Sequence, residues 1–126
     1  MDALVQKALE ARKNSYSPYS QFAVGAALEA EDGTIFSGCN VENASYGLAI
    51  CAERVALFKA ISQGAKKFKR LAMIADHPTP VPPCGMCRQT LIEFAPDLEL
   101  ILANVKGKLE KLRLSDLLPK PFKLDR

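Results

Sequence analysis

No apolar run in this 126-residue chain approaches the ~20 residues that a membrane-crossing helix needs, so no helical span is expected. The N-terminal stretch is amphipathic and partly charged, without the apolar centre of a signal peptide. Histidine is reduced to His77, which precedes a proline in a loop and reads as structural or exposed, not as a metal ligand. An excess of charge of one sign is also lacking. A formal net charge of +3 is too weak to imply a nucleic-acid polymer as partner. The one basic cluster, Lys66-Lys67-Phe68-Lys69-Arg70, reads as a solvated surface at a helix-to-strand junction. Low-complexity tracts, internal repeats and composition breaks are missing too, which leaves a single domain over residues 1–126.

What the chain does have is four cysteines: Cys39, Cys51, Cys84 and Cys87. With no secretory features, such cysteines favour metal binding or chemistry over disulfides, and the reducing cytoplasm is the expected compartment.

The pattern of elements is α/β. Apolar residues at Ala3, Leu4, Ala8, Leu9 and Ala11 predict a helix within 2–14, with Asp2 as its cap. Residues 22–30 read as a buried strand, Asp32-Gly33 as a hairpin turn, and 34–39 as the returning strand. Residues 40–48 are irregular and lead into a helix from about Ile50 to Gln63, stopped by Gly64. Then follow a strand at 70–75, a proline-rich loop at 76–83 and a helix at 85–94 that ends before Pro96. Two more strands fall at 98–103 and 108–114, and Ser115 is expected to cap a short turn at Leu117-Leu118. The tail from Pro119 is expected to be loosely held. A hairpin followed by strands alternating with helices implies one sheet with helices on its faces.

Both functional cysteine groups open predicted helices. Cys84 and Cys87, three apart, bring their sulfurs to one side of a first turn. Cys51 opens the other helix, with Glu53 in its first turn, where unpaired N–H groups and the helix dipole favour thiolates. By itself Cys84-x-x-Cys87 could be a redox pair or half of a closed structural zinc site. A third cysteine followed by Ala-Glu, with no evident fourth ligand, points instead to catalysis. Three thiolates could hold one zinc ion and leave its fourth position to water, whose pKa the cation lowers towards about 7. Glu53, close by but not a ligand, could then move protons. Three thiolates also call for a nearby cation, and Arg54 is the first candidate ahead of Arg88. Cys39 reads as a buried core thiol.

At this point the chain resembles the small zinc-dependent cytidine deaminases. The motifs are Cys51-Ala-Glu-Arg54 and Pro83-Cys-Gly-Met-Cys-Arg-Gln89, with Tyr16-Ser-Pro-Tyr-Ser-x-Phe-x-Val-Gly-Ala-Ala27 and Gly38-Cys-Asn-Val-Glu-Asn43. The last segment narrows the likeness to members acting on nucleosides. The resemblance implies a three-layer α/β/α cytidine-deaminase-like fold with a mixed sheet of about five strands. It implies one zinc ion per chain on Cys51, Cys84 and Cys87, with Glu53 as proton shuttle. Phe22 would pack on the pyrimidine, Asn40 and Glu42 would bind the ribose, and backbone donors around Ala52 would orient the ring. The implied reaction is hydrolytic deamination of cytidine or deoxycytidine, a zinc hydroxide attacking C4, in pyrimidine salvage. A homotetramer with shared active sites is implied too, Phe122 standing where the family has a C-terminal aromatic that reaches a neighbour's base. Here Lys120-Pro121 replaces the family's more usual Gly-Ala before it.

Four rivals share parts of this signature. Blasticidin-type deaminases have the zinc core, but Asn40-Val-Glu42-Asn43 argues against them. Deaminases of bases within RNA or DNA need a basic surface that this charge balance does not provide. A zinc-stabilised binding module, or a thiol-redox protein, would leave Glu53, Asn40 and Glu42 without a task.

Overall fold

The computed structural model describes residues 2–124. Helix α1 spans Ala3–Arg12, and the Asp2 carboxylate caps it by accepting from the Leu4 N–H at 2.8 Å. Strands β1 (Val24–Ala30) and β2 (Ile35–Cys39) form the expected hairpin, with Gly33 at φ +92° in its turn. Then come α2 (Ala52–Ser62), β3 (Phe68–Ala75), α3 (Gly85–Phe94), β4 (Glu99–Asn104), β5 (Leu109–Arg113) and α4 (Leu114–Leu117). The irregular stretch after β2 contains one 3-10 turn, Tyr46–Leu48, that periodicity had not indicated.

The sheet is mixed and five-stranded, in the order β2-β1-β3-β4-β5. Only β3 and β4 run parallel, and the crossover that a parallel pair requires contains α3. Alternation along the strands sorts the core into two layers. Ala26, Leu28, Leu71, Met73, Leu100 and Leu102 face α2 and α3, which contribute Ala56, Leu57 and Leu91. Ala27, Ala72, Ile74, Ile101 and Ala103 face α1, which contributes Leu4, Val5 and Ala8. The result is the expected three-layer α/β/α arrangement.

Gly38 sets the position of α2. A Cβ there would lie 2.6 Å from the Ala56 nitrogen and 2.8 Å from the Ala52 oxygen. Only hydrogen lets the helix backbone come so close to β2, and that approach fixes the turn carrying Cys51 and Glu53. Gly38→Ala should therefore cost about 1–3 kcal/mol of stability, as overpacking does. Gly47→Ala, with nothing within 4 Å, should stay within about 0.5 kcal/mol of wild type. Denaturant midpoints measure both, and equal midpoints would refute this account of Gly38.

Several boundaries differ from expectation for local reasons. The first strand begins at Val24, not at residue 22, because the Asn40 side chain takes the Phe22 carbonyl and the Val24 N–H (2.8 and 2.9 Å). Helix α2 begins at Ala52 because Ile50 is paired with Val41 in an isolated bridge. Ser115 is not a cap: it lies inside α4, whose N-cap is Arg113. The C-terminal segment is tied down as far as Phe122, whose N–H and carbonyl both bond to the Gln89 side chain (3.1 and 3.0 Å). The last two residues of the expected loose tail lie outside the described residues. In the basic cluster, Arg70 is engaged by Glu29 and Asp2 at 2.8 and 3.3 Å, while Lys66, Lys67 and Lys69 are exposed.

Candidate active site

Helices α2 and α3 converge at their N-termini. Cys51 and Cys84 are the residues that cap them, both with extended backbone and neither with a side-chain capping bond, so both sulfurs are free to face each other. Cys87 follows one turn into α3 and is fully buried. The three sulfurs lie within 4.8 Å of one another, and Cys51 Sγ is 3.8 Å from Cys84 Sγ. Zinc–sulfur bonds of ~2.3 Å in a tetrahedron place sulfurs about 3.8 Å apart, so the donor set fits a zinc ion in spacing as well as chemistry. Cys39 and His77 are not part of this cluster. Cys39 is half-buried, not fully buried as expected of a core thiol, and His77 is exposed, its ring beside Thr79.

The electrostatics of the cluster favour a cation. A hydrogen bond from Cys87, joined by donors from Arg54 and Cys84, draws the Cys51 pKa down to about 5. The same bond, with burial, holds the Cys87 proton more tightly than usual. One proton thus serves two crowded sulfurs, and a metal ion is its natural replacement. Arg54 Nη2 lies 3.7 Å from Cys51 Sγ. Arg88 points elsewhere: its Nε donates to the Pro83 carbonyl at 2.7 Å and its Nη1 to the Leu117 carbonyl at 3.1 Å. It steadies the loop before Cys84 and does not neutralise sulfur.

Glu53 is 3% exposed. Burial, reinforced by the negative charge of Cys51, raises its pKa to about 7. Above it opens a slot of about 230 Å³. Phe22, Val24, Met73 and Val81 form its apolar walls, with Cys51, Ala52, Glu53 and Cys84 on the metal side. Ser20, Asn40 and Glu42 line the remaining side.

Asn40 and Glu42 are already partnered. Asn40 Oδ1 accepts from Ser15 Oγ and the Val24 N–H, and its amide donates to the Phe22 carbonyl. Glu42 Oε1 accepts from the Tyr19 and Ser20 N–H groups at 3.0 and 3.1 Å, and Oε2 from the Ser20 hydroxyl. These bonds, the Ser20 hydroxyl first, hold its pKa below the ordinary carboxylate range. Phe122 is 72% exposed and lines a different hollow, beside Ile92 and Pro96, outside the slot of its own chain. Sequence reasoning missed Ser15, Ser20 and Gln89, because their partners lie 22–33 residues away in the chain.

A mixed five-stranded sheet that presents three cysteines and a buried glutamate at two helix N-termini defines a zinc-dependent deaminase. Residues 1–102 match the model of the cytidine and deoxycytidylate deaminase zinc-binding region, and the chain belongs to that family. A cytidine deaminase of Sporosarcina psychrophila is 49% identical over 97% of this chain and 90% of its own. The crystal structure of the cytidine deaminase from Burkholderia pseudomallei, also 49% identical, superposes with a TM-score of 0.93 over 95% of this chain and 97% of that one. A blasticidin-S deaminase of Bacillus cereus is more distant, at 34% identity over 76% of this chain and 74% of its own. Family and fold together make the chain a hydrolase of the cytidine deaminase kind, with one zinc ion per chain at the three-cysteine cluster. No helix among the described residues is long and apolar enough to cross a membrane.

Proposed function

We propose that the protein, a single domain, hydrolyses cytidine and deoxycytidine to uridine and deoxyuridine with release of ammonia, as a pyrimidine-salvage enzyme of the cytoplasm. One observation carries this reading: a buried carboxyl group beside three metal-ligand sulfurs, at the floor of a slot with apolar walls. Its four cysteines are free, as a reducing compartment requires.

Zinc held by Cys51, Cys84 and Cys87 would supply Lewis-acid activation of the attacking water. Glu53 moves the protons. Its carboxylate takes one from the water and delivers it to ring N3 as oxygen adds to C4. It then carries the second to the departing amine as the C4–N bond breaks, so that cytidine and water leave as uridine and ammonia. A carboxyl group with its pKa near neutrality suits transfer in both directions. Arg54 offsets the excess charge of three thiolates.

Phe22 packs on the pyrimidine ring against the other apolar walls. The Ala52 N–H, in the first turn of α2 where helices leave donors unpaired, orients the ring through its carbonyl oxygen. Asn40 keeps one amide hydrogen and Glu42 one acceptor site beyond the bonds they already make. A ribose hydroxyl both accepts and donates, so it can use the two together. We also propose a homotetramer in which Phe122 reaches a neighbour's slot. Its exposure, with that of Tyr16, Tyr46 and Leu48, supports this part, and a monomeric mass in light scattering would remove it.

Ultraviolet absorbance with cytidine, deoxycytidine, cytosine and blasticidin S, and zinc quantified in the same sample, tests the proposal. The expected result is turnover of both nucleosides at one zinc per chain. A zinc-loaded protein that ignores both and converts blasticidin S would overturn the substrate assignment.

A further inference from the structure

The sugar side of the slot is built from two irregular segments, residues 15–22 and 40–43, that are zipped together. The Tyr16 N–H donates to the Asn40 carbonyl at 3.1 Å, and the Glu42 N–H to the Tyr16 carbonyl at 2.8 Å. Ser20 stands where the two segments meet the slot. Its N–H donates to Glu42 Oε1, its hydroxyl donates to Glu42 Oε2, and the same hydroxyl oxygen accepts from the Phe22 N–H at 3.0 Å. One side chain thus holds both the carboxylate on the sugar side and the backbone of the aromatic wall.

The local backbone is bent to achieve this. Gln21, between Ser20 and Phe22, has φ +57°, a left-handed conformation that a glutamine adopts only when its surroundings impose it. Its N–H donates to the Ser17 carbonyl at 2.9 Å, which closes a turn and brings the Phe22 N–H back onto Ser20 Oγ. Without the Ser20 hydroxyl, Glu42 Oε1 would keep its two amide donors. Oε2 would lose its only partner among the described residues, and the last torsion of a glutamate side chain is intrinsically broad.

We propose that Ser20 is a positioning residue that locks the Glu42 carboxylate in the orientation that receives the sugar hydroxyl. This rests on the nucleoside reading given above. It adds a residue that contributes to sugar recognition through Glu42.

Steady-state kinetics of the zinc-loaded enzyme test it with three substrates: cytidine, deoxycytidine, and 2′,3′-dideoxycytidine, which lacks the 3′-hydroxyl. Ser20→Ala should raise KM for cytidine and deoxycytidine about tenfold, the scale of one hydrogen bond to a charged group, with a smaller fall in kcat. KM for dideoxycytidine should change little, and Ser20→Thr, which keeps the hydroxyl, should restore the wild-type pattern. In a Glu42→Ala background, Ser20→Ala should add almost nothing to the cytidine KM, because the two act as one unit.

An unchanged cytidine KM in Ser20→Ala, an equal loss on all three substrates, or full additivity with Glu42→Ala would each overturn the proposal. Zinc content and melting temperature identify a misfolded variant, in which case Ser20→Cys, of similar size with a weaker donor, takes its place. A wild-type enzyme that turns over neither nucleoside defeats the underlying activity. One that treats cytidine and dideoxycytidine alike defeats the sugar role of Glu42, and the Ser20 lock with it. Neither result resembles a failure of Ser20 alone.

Discussion

Glu53→Gln should keep one zinc ion per chain and a near-wild-type melting temperature while losing cytidine turnover by about four orders of magnitude. A positioned acid or base typically contributes 10²–10⁴-fold, and the proposed mechanism gives one carboxyl group two successive proton transfers, so a loss of about 10⁴-fold or more is expected. The substitution is nearly isosteric, which matters at a site 3% exposed. Glutamine fills the same volume beneath the slot, so neither the α2 first turn nor the three sulfurs need to move. The amide cannot accept and return a proton near neutral pH, whereas burial places the Glu53 carboxyl group there, at about 7.

The loss should fall on kcat, with KM for cytidine nearly unchanged, since in the proposed mechanism Glu53 acts on the reacting atoms while Phe22, Asn40 and Glu42 handle the remainder of the nucleoside. Zinc analysis, thermal melting and steady-state kinetics on one preparation distinguish the outcomes. Activity within about tenfold of wild type would remove Glu53 from the proton path. Loss of zinc along with activity would instead make it a support of the metal site.

The metal centre was legible in the sequence because its chemistry is local. Cys84 and Cys87 are three apart, Cys51 and Glu53 two apart, and both groups open helices whose apolar pattern is plain. The sheet was legible for the same kind of reason: Asp32-Gly33 forms a hairpin turn, and the 70–75 and 98–103 runs are apolar. What stayed hidden depends on contacts between distant segments. Asn40 lies in a stretch that its neighbours mark only as irregular, and only the fold puts Ser15 and Val24 on its oxygen. The Val24 bond, with the one Asn40 makes to the Phe22 carbonyl, delays the start of β1. Arg54 and Arg88 each follow a motif cysteine or its glutamate, and only the fold shows that the first turns towards sulfur and the second towards Pro83 and Leu117. Gln89 stands in the zinc motif yet fastens the C-terminal segment at Phe122, so its task could not be read from its neighbours.

Cys87→Ala should lose bound zinc and lower the melting temperature well beyond what the missing sulfur atom costs in packing. Cys87 is the one ligand of the three that is fully buried, in the first turn of α3. Cys51 and Cys84 would remain, and two thiolates hold zinc far less tightly than three. Any species that binds only the folded chain stabilises it by mass action, about 4 kcal/mol when free ligand exceeds Kd a thousandfold. Most of that term should vanish in the variant. The control is Cys39→Ala, which removes a sulfur from the end of β2 outside the cluster. It should keep one zinc per chain and respond to a chelator as wild type does. Chelation should therefore lower the melting temperature of wild type and Cys39→Ala towards that of Cys87→Ala, and leave Cys87→Ala where it stands. Full zinc content in Cys87→Ala, or equal chelator sensitivity in all three proteins, would overturn the ligand assignment. The mass-action term also explains why the core alone need not hold α2 and α3 together. Their N-terminal turns meet through Cys51 and Cys84 at 3.8 Å, and a cation shared between them replaces repulsion with a bond to each helix.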